Sequence, residues 1–124
     1  MENQFSDFIL LNIGYDAPDT NWNYKDVISH FARIFLAKEG AASVHLSSTT
    51  LELTPNHLYF IPPFTKHSYE CNDSFSLIYI HIYEQSSSEE RLLEDHIFPS
   101  EVMCTSLDVL LIDHLLDINP DREL

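Results

Sequence analysis

Two adjacent prolines, Pro62 and Pro63, stand in the middle of a stretch in which every other segment reads as strand. Neither can donate a backbone hydrogen bond, so no sheet ladder passes through them. The chain must turn a stiff corner there and re-enter a sheet at His67. The segments around the corner are short. Phe31 to Lys38, Ser43 to Leu46, Leu51 to Leu53, His57 to Ile61 and His67 to Glu70 read as strands. They are parted by Glu39-Gly40-Ala41-Ala42, Ser47-Ser48-Thr49-Thr50 and Thr54-Pro55-Asn56, and Asn72-Asp73 turns the chain again. Phe75 to Tyr83 then carries apolar residues at both parities, the pattern of a strand covered on both faces. Short strands at this spacing predict a sandwich or barrel.

The flanks read differently. Residues 1–24 form an irregular or short-stranded lead-in, with a buried strand at Phe8–Ile13 and turn chemistry at Asp16–Asn21. Trp22 and Tyr24 follow as two large rings. After Tyr83 the period changes to that of a helix. Ser87 and Glu90 offer a capping box, and Leu92, Leu93, His96 and Ile97 share the face of a first helix that ends at Phe98-Pro99-Ser100. A second helix runs from about Ser106 to Ile118 and stops before Pro120. Its main apolar stripe is Leu107, Leu110, Leu111, His114, Leu115 and Ile118, with Val109, Ile112 and Leu116 as a second stripe. One stripe seats a helix on a surface; two imply either deep burial or a further partner. Asp121-Arg122-Glu123 offers the cap of another helix, so a longer parent chain is expected.

The 124 residues make one domain, and six basic against twenty acidic residues give a formal net charge of −14. A surface of that charge repels polyanions, so this stretch is not expected to grip nucleic acid phosphates directly. Cys71 and Cys104 match no metal spacing and read as reduced thiols. No apolar run reaches membrane-spanning length and the start lacks a basic leader, so a cytoplasmic setting is expected.

The stretch from Leu51 through Tyr59, Pro62-Pro63 and His67 to Tyr69 resembles the second motif of cupins: a turn, a strand, a proline, a short turn and a histidine. More closely, the order of Trp22, Arg33-Ile34-Phe35, Gly40, that motif, Ile78-Tyr79-Ile80-His81-Ile82 and the Leu107–Ile118 helix is similar to the amino-terminal sensing domain of AraC-type transcription regulators. The resemblance implies a mainly β fold, a cupin-like double-stranded β-helix (jelly-roll barrel), followed by two carboxy-terminal helices. It implies a sensing barrel with its amino-terminal arm over residues 1–85 and a helical dimerisation and linker segment over 86–124. It further implies a small-molecule effector, a sugar being one candidate, a homodimer, and DNA contact only through a carboxy-terminal domain absent from these residues. No cofactor is expected. Asn56 stands where the motif has glycine, and asparagine tolerates the left-handed backbone that the turn needs. Metal cupins carry a His–any–His pair and a carboxylate on the strand that here reads Ser43-Val44-His45-Leu46-Ser47, with one histidine. A metal-dependent cupin enzyme therefore lacks its main donors, and no metal ligands are assigned.

The candidate ligand-binding residues are Trp22, Arg33, Phe35, Tyr59, His67, Tyr79 and His81. Each has a bland counterpart. His67 either donates to a ligand or satisfies a backbone carbonyl near the corner. His81 shares its parity with Phe75, Leu77, Tyr79 and Tyr83, either a pocket lining or a core. Arg33 lies among apolar residues, and a buried guanidinium needs either an internal carboxylate or an anionic or polyhydroxyl ligand. Trp22 and Tyr24 either stack on a ligand or close the barrel. His30, His45, His57, His96 and His114 are assigned to the surface or an interface. Leu107, Leu110, Leu111, His114, Leu115 and Ile118 are the candidate dimerisation residues. A stand-alone dimerising scaffold without ligand stays open as an alternative.

Overall fold

The computed structural model describes residues 6–17, 22–71, 74–87, 89–95 and 98–119. Among them the chain forms, in order, β1 (Ser6–Asp16), β2 (Tyr24–Val27), β3 (Ala32–Gly40), β4 (Ala42–His45), β5 (Thr50–Leu53), β6 (His57–Ile61), β7 (His67–Glu70), β8 (Phe75–Ser86), α1 (Leu92–Asp95), β9 (Glu101–Met103) and α2 (Ser106–Asp117). The strands build two antiparallel sheets, β1-β8-β3-β6-β9 and β2-β7-β4-β5. The fold is mainly β and cupin-like, with the two helices after the barrel, as the sequence implied.

One core fills the space between the sheets. It gathers Trp22, Phe35, Val44, Leu51, Leu53, Tyr59, Ile61, Tyr69, Phe75 and Leu77. A second core lies on the other face of the larger sheet, where Leu36, Ile78, Ile80 and Ile13 meet Val109, Ile112, Leu115 and Leu116 of α2. The double-parity pattern of β8 has this cause: Leu77 faces the barrel and Ile78 faces the helix. Lys38 of β3 adds an ion pair to Asp113 of α2 at 3.0 Å.

Local chemistry sets the turns. Gly40 ends β3 at φ +76°, and an added Cβ there would meet the Ser74 carbonyl oxygen at 2.1 Å. The break expected over four residues therefore shrinks to Ala41 alone. Asn56 adopts φ +70°, the left-handed turn that was expected of it. Phe64, just after the prolines, is also left-handed at φ +58°, and its amide donates to the Ser29 carbonyl at 2.7 Å. Thr105 caps α2 in a reciprocal capping box with Asp108.

Four expectations change. The lead-in strand is longer than Phe8–Ile13 and only partly buried, because β1 is an edge strand: Ile13 is buried while Phe8 is exposed. Among the described residues the first helix covers a single turn, Leu92–Asp95, and the amides of Leu92 and Leu93 donate to the Glu84 carboxylate at 2.7 and 2.8 Å. The segment after 86 is not purely helical, since β9 pairs with β6. On α2 the second stripe, with Leu115, faces the barrel, while Leu107, Leu110, Leu111, His114 and Ile118 are exposed. The turn residues Pro18–Asn21 and Asn72-Asp73, and also His96, Ile97 and Pro120, lie outside the described residues.

Candidate functional site

The antiparallel register lays the inner face of the larger sheet out as a grid. Arg33 of β3 sits opposite His81 of β8 and Ile61 of β6, and Phe35 sits opposite Tyr79 and Tyr59. On β1, Gly14 lies opposite Tyr79 and Asp16 opposite Leu77. Gly14 is needed there, because an added Cβ would meet the Tyr79 hydroxyl at 2.3 Å. The β1-β8-β3 corner of this grid, flanked from the opposite sheet by Tyr69 and beside it by Trp22, lines a half-open cavity of about 120 Å³. Its lining also includes Arg33, Phe35, Leu77, Tyr79, His81 and, at the rim, Asp16.

Arg33 is the centre of the polar chemistry. Its Nε and Nη2 both donate to Ser29 Oγ, at 3.2 and 2.7 Å, and Nη1 donates to His81 Nε2 at 3.4 Å. The guanidinium carbon lies 5.0 Å from the Phe31 ring centroid, a cation–π contact. Among the described residues no carboxylate pairs with it. The internal carboxylate that the sequence left open as a partner is therefore not found there.

Two histidines and a tyrosine respond to burial and to this charge. Burial, reinforced by the charge of Arg33, lowers the His81 pKa to about 4. The ring is then neutral near pH 7, with Nε2 as acceptor and the proton on Nδ1, which is buried without a hydrogen-bond partner. Burial pushes the Tyr69 hydroxyl up to about 12, against the opposing charge and hydrogen bond of Arg33. That hydroxyl donates to His67 Nε2 at 2.6 Å, and His67 Nδ1 donates to the Thr65 carbonyl at 2.8 Å. Burial likewise lowers the pKa of His67, more than its bond to Thr65 raises it.

Five of the seven candidate residues, Trp22, Arg33, Phe35, Tyr79 and His81, line this cavity together. Two do not. Tyr59 has the right parity but lies one strand too far, fully buried, with its hydroxyl donating to the Glu52 carbonyl and accepting from the Thr54 amide. His67 is 2% exposed and satisfies the carbonyl at the proline corner, the bland alternative for it. Trp22 stacks on Tyr69 at 4.4 Å and meets Phe35 edge-on, so it is core and wall at once. Tyr24 is exposed. Sequence reasoning missed Tyr69, Asp16 and Ser29. Tyr69 carried a readable signal, since it shares strand parity with His67, two residues earlier.

Elsewhere, His45 bonds Glu70 at 2.7 Å and Thr50 at 2.9 Å on the outside of the smaller sheet. His57 pairs with Glu101 across β6 and β9. Among the described residues no group of three or more His, Cys, Asp or Glu is placed to hold a metal ion, no helix is long and apolar enough to cross a membrane, and neither cysteine forms a disulfide.

No family model and no curated protein matches the chain. Solved structures do. ToxT from Vibrio cholerae strain SCE256, bound to an unsaturated fatty acid, superposes with a TM-score of 0.57 at 12% identity, over 98% of this chain and 50% of that one. ToxT from Vibrio cholerae O395 gives 0.55 at 12% identity, over 89% and 45%. A cupin 2 conserved barrel domain protein from Rhodopseudomonas palustris overlaps more loosely, at 0.40 and 14% identity, over 90% and 63%. The chain spans about half the length of the ToxT structures. At these identities the likeness is one of fold: the chain has the cupin-like barrel fold found in the amino-terminal domain of ToxT, an AraC-family regulator.

Proposed function

We propose that this chain is the effector-sensing and dimerisation domain of a cytoplasmic AraC-type transcription regulator, with residues 1–85 as the sensing barrel and 86–124 as the dimerising segment. Its effector carries an anionic group received by Arg33. One observation carries the reading: a part-buried guanidinium on the wall of a half-open cavity has hydroxyl and imidazole partners but no carboxylate among the described residues. Such a cation is costly to desolvate alone and is completed by an anion. The neutral His81 leaves Arg33 as the one positive charge on that wall. The ToxT structure with an unsaturated fatty acid is a precedent in the same fold for an effector with a carboxylate.

The cavity volume corresponds to roughly four waters. It is below the roughly 300 Å³ at which drug-sized pockets begin, which favours a small acid over a sugar. Differential affinity for one arrangement of barrel, arm and α2 is what turns binding into a signal. The exposed Leu107, Leu110, Leu111 and Ile118 supply a dimer face, and DNA is reached through a domain outside these residues.

Titration calorimetry against short carboxylates and matching sugars tests the reading. Carboxylate binding that is lost in Arg33→Gln, with the fold retained, is the expected result. Sugar binding without carboxylate binding overturns the anion, and no binding from either panel overturns the sensor. Sedimentation of Leu110→Asp should give monomer where the parent chain gives dimer; a monomeric parent chain at high concentration removes the dimer face.

A further inference from the structure

Two formal charges belong to the cavity lining, and they are of opposite sign: Arg33 on the wall and Asp16 at the rim. Among the described residues neither has an ion-pair partner, and they do not pair with each other. Sheet geometry keeps them apart. Asp16 lies opposite Leu77 on one side of β8, while Arg33 lies opposite His81, four residues along β8, on its other side. Tyr79 lies between Leu77 and His81 along β8, and the rest of the lining is largely aromatic, with Trp22, Phe35 and Tyr69. A cation binds well beside such rings.

We infer that the effector is a small zwitterion, an amino acid or a short amino carboxylate, with its carboxylate on Arg33 and its ammonium between Asp16 and the aromatic wall. This rests on the anionic-effector reading and narrows it. A purely anionic ligand would satisfy Arg33 and leave the Asp16 carboxylate as a like charge at the mouth. A zwitterion spans both charges and enters neutral overall, which suits a domain of net charge −14. The cavity admits roughly four to seven non-hydrogen atoms, the size of the smaller amino acids.

The test compares matched pairs by titration calorimetry: alanine against propionate, 4-aminobutyrate against butyrate, and ethylamine as the cation alone. At least one zwitterion should bind about tenfold more tightly than its matched acid, since a rim-exposed charge pair and a cation–π contact each contribute modestly. Asp16→Asn, at an exposed position, should bring the two affinities together by weakening the zwitterion and, with the like charge at the mouth removed, tightening propionate, and Arg33→Gln should remove both. Equal affinities in the parent chain, or a preference that survives Asp16→Asn, overturn the inference but leave the anionic effector standing. Failure of every acid and zwitterion to bind overturns both.

Discussion

Ser29 Oγ accepts from both Nε and Nη2 of Arg33, while the carbonyl of the same serine accepts from the amide of Phe64. One residue thus holds the cavity's guanidinium on its side chain and the proline corner on its backbone. A second path runs from Tyr69 through His67 to the Thr65 carbonyl of the same corner. Phe64 is 59% exposed and held at a positive φ that a phenylalanine adopts only under constraint.

Removing the Ser29 hydroxyl should therefore act at two places. Hydrogen bonds to charged groups contribute about 1.5–3 kcal/mol, so Ser29→Ala should weaken binding of anions by roughly tenfold or more. Hydrogen exchange at the Phe64 amide should quicken in the same variant without ligand, while the amides of β4 hold. Unchanged exchange at Phe64 would show that the guanidinium and the corner are independent.

His81 gives the protein an acid-side weakness. Its folded pKa of about 4 lies below the ordinary histidine value of 6.5, so the unfolded chain takes up its proton first as pH falls. Stability from this group is full above about pH 6.5 and declines from there towards pH 4. His67, displaced in the same direction by burial, adds to the slope. His81→Gln should flatten the decline by about 2 kcal/mol, allowing for the partial exposure of the ring. Urea midpoints measured from pH 7.5 down to 4.5 read this directly, and a slope as steep as the parent's sinks the account.

Glu84 is 3% exposed and takes the two amides that open α1, while Arg91 Nη1 donates to its backbone carbonyl at 2.7 Å. Glu84→Ala strands both amides and should cost about 2–4 kcal/mol, with Glu84→Gln losing less because one acceptor remains. Thermal unfolding of the two variants gives the order, and a Gln variant as weak as the Ala variant contradicts it.

Asn56 at φ +70° should accept glycine almost without loss, whereas Asn56→Ala should cost about 1 kcal/mol for the strained left-handed turn. Its carbonyl also accepts from the Cys104 amide at 2.8 Å, so the strain reaches the approach to α2. Melting temperatures of the pair decide the matter: equal losses for Gly and Ala would mean that the asparagine side chain, not the backbone, is what counts.

The barrel was legible in the sequence wherever a turn was chemically marked. The prolines and Asn56 bracket β6 at its observed ends, and β7 begins where expected at His67. What periodicity could not supply was adjacency between strands. The sequence names Tyr59 and Tyr79 as candidates alike, but only the pairing order puts Tyr79 beside Gly14 and Asp16, and Tyr59 beneath β5. Three-residue β9 is too short to carry a period. The α2 sequence is apolar on both sides, so its pattern does not say that Val109 and Ile112 face inward and Leu110 outward. Ser29 and Asp16 carried no signal, since nothing local distinguishes them from turn residues.

The stacked pair that closes the cavity has an optical consequence. Trp22 is the only tryptophan in the chain, and it lies 4.4 Å from Tyr69 on the wall that an effector would touch. Excited near 295 nm, the protein therefore emits from a single indole at the site itself. Occupancy of the cavity should be readable as a change in its intensity or wavelength, with no dye and no engineered label.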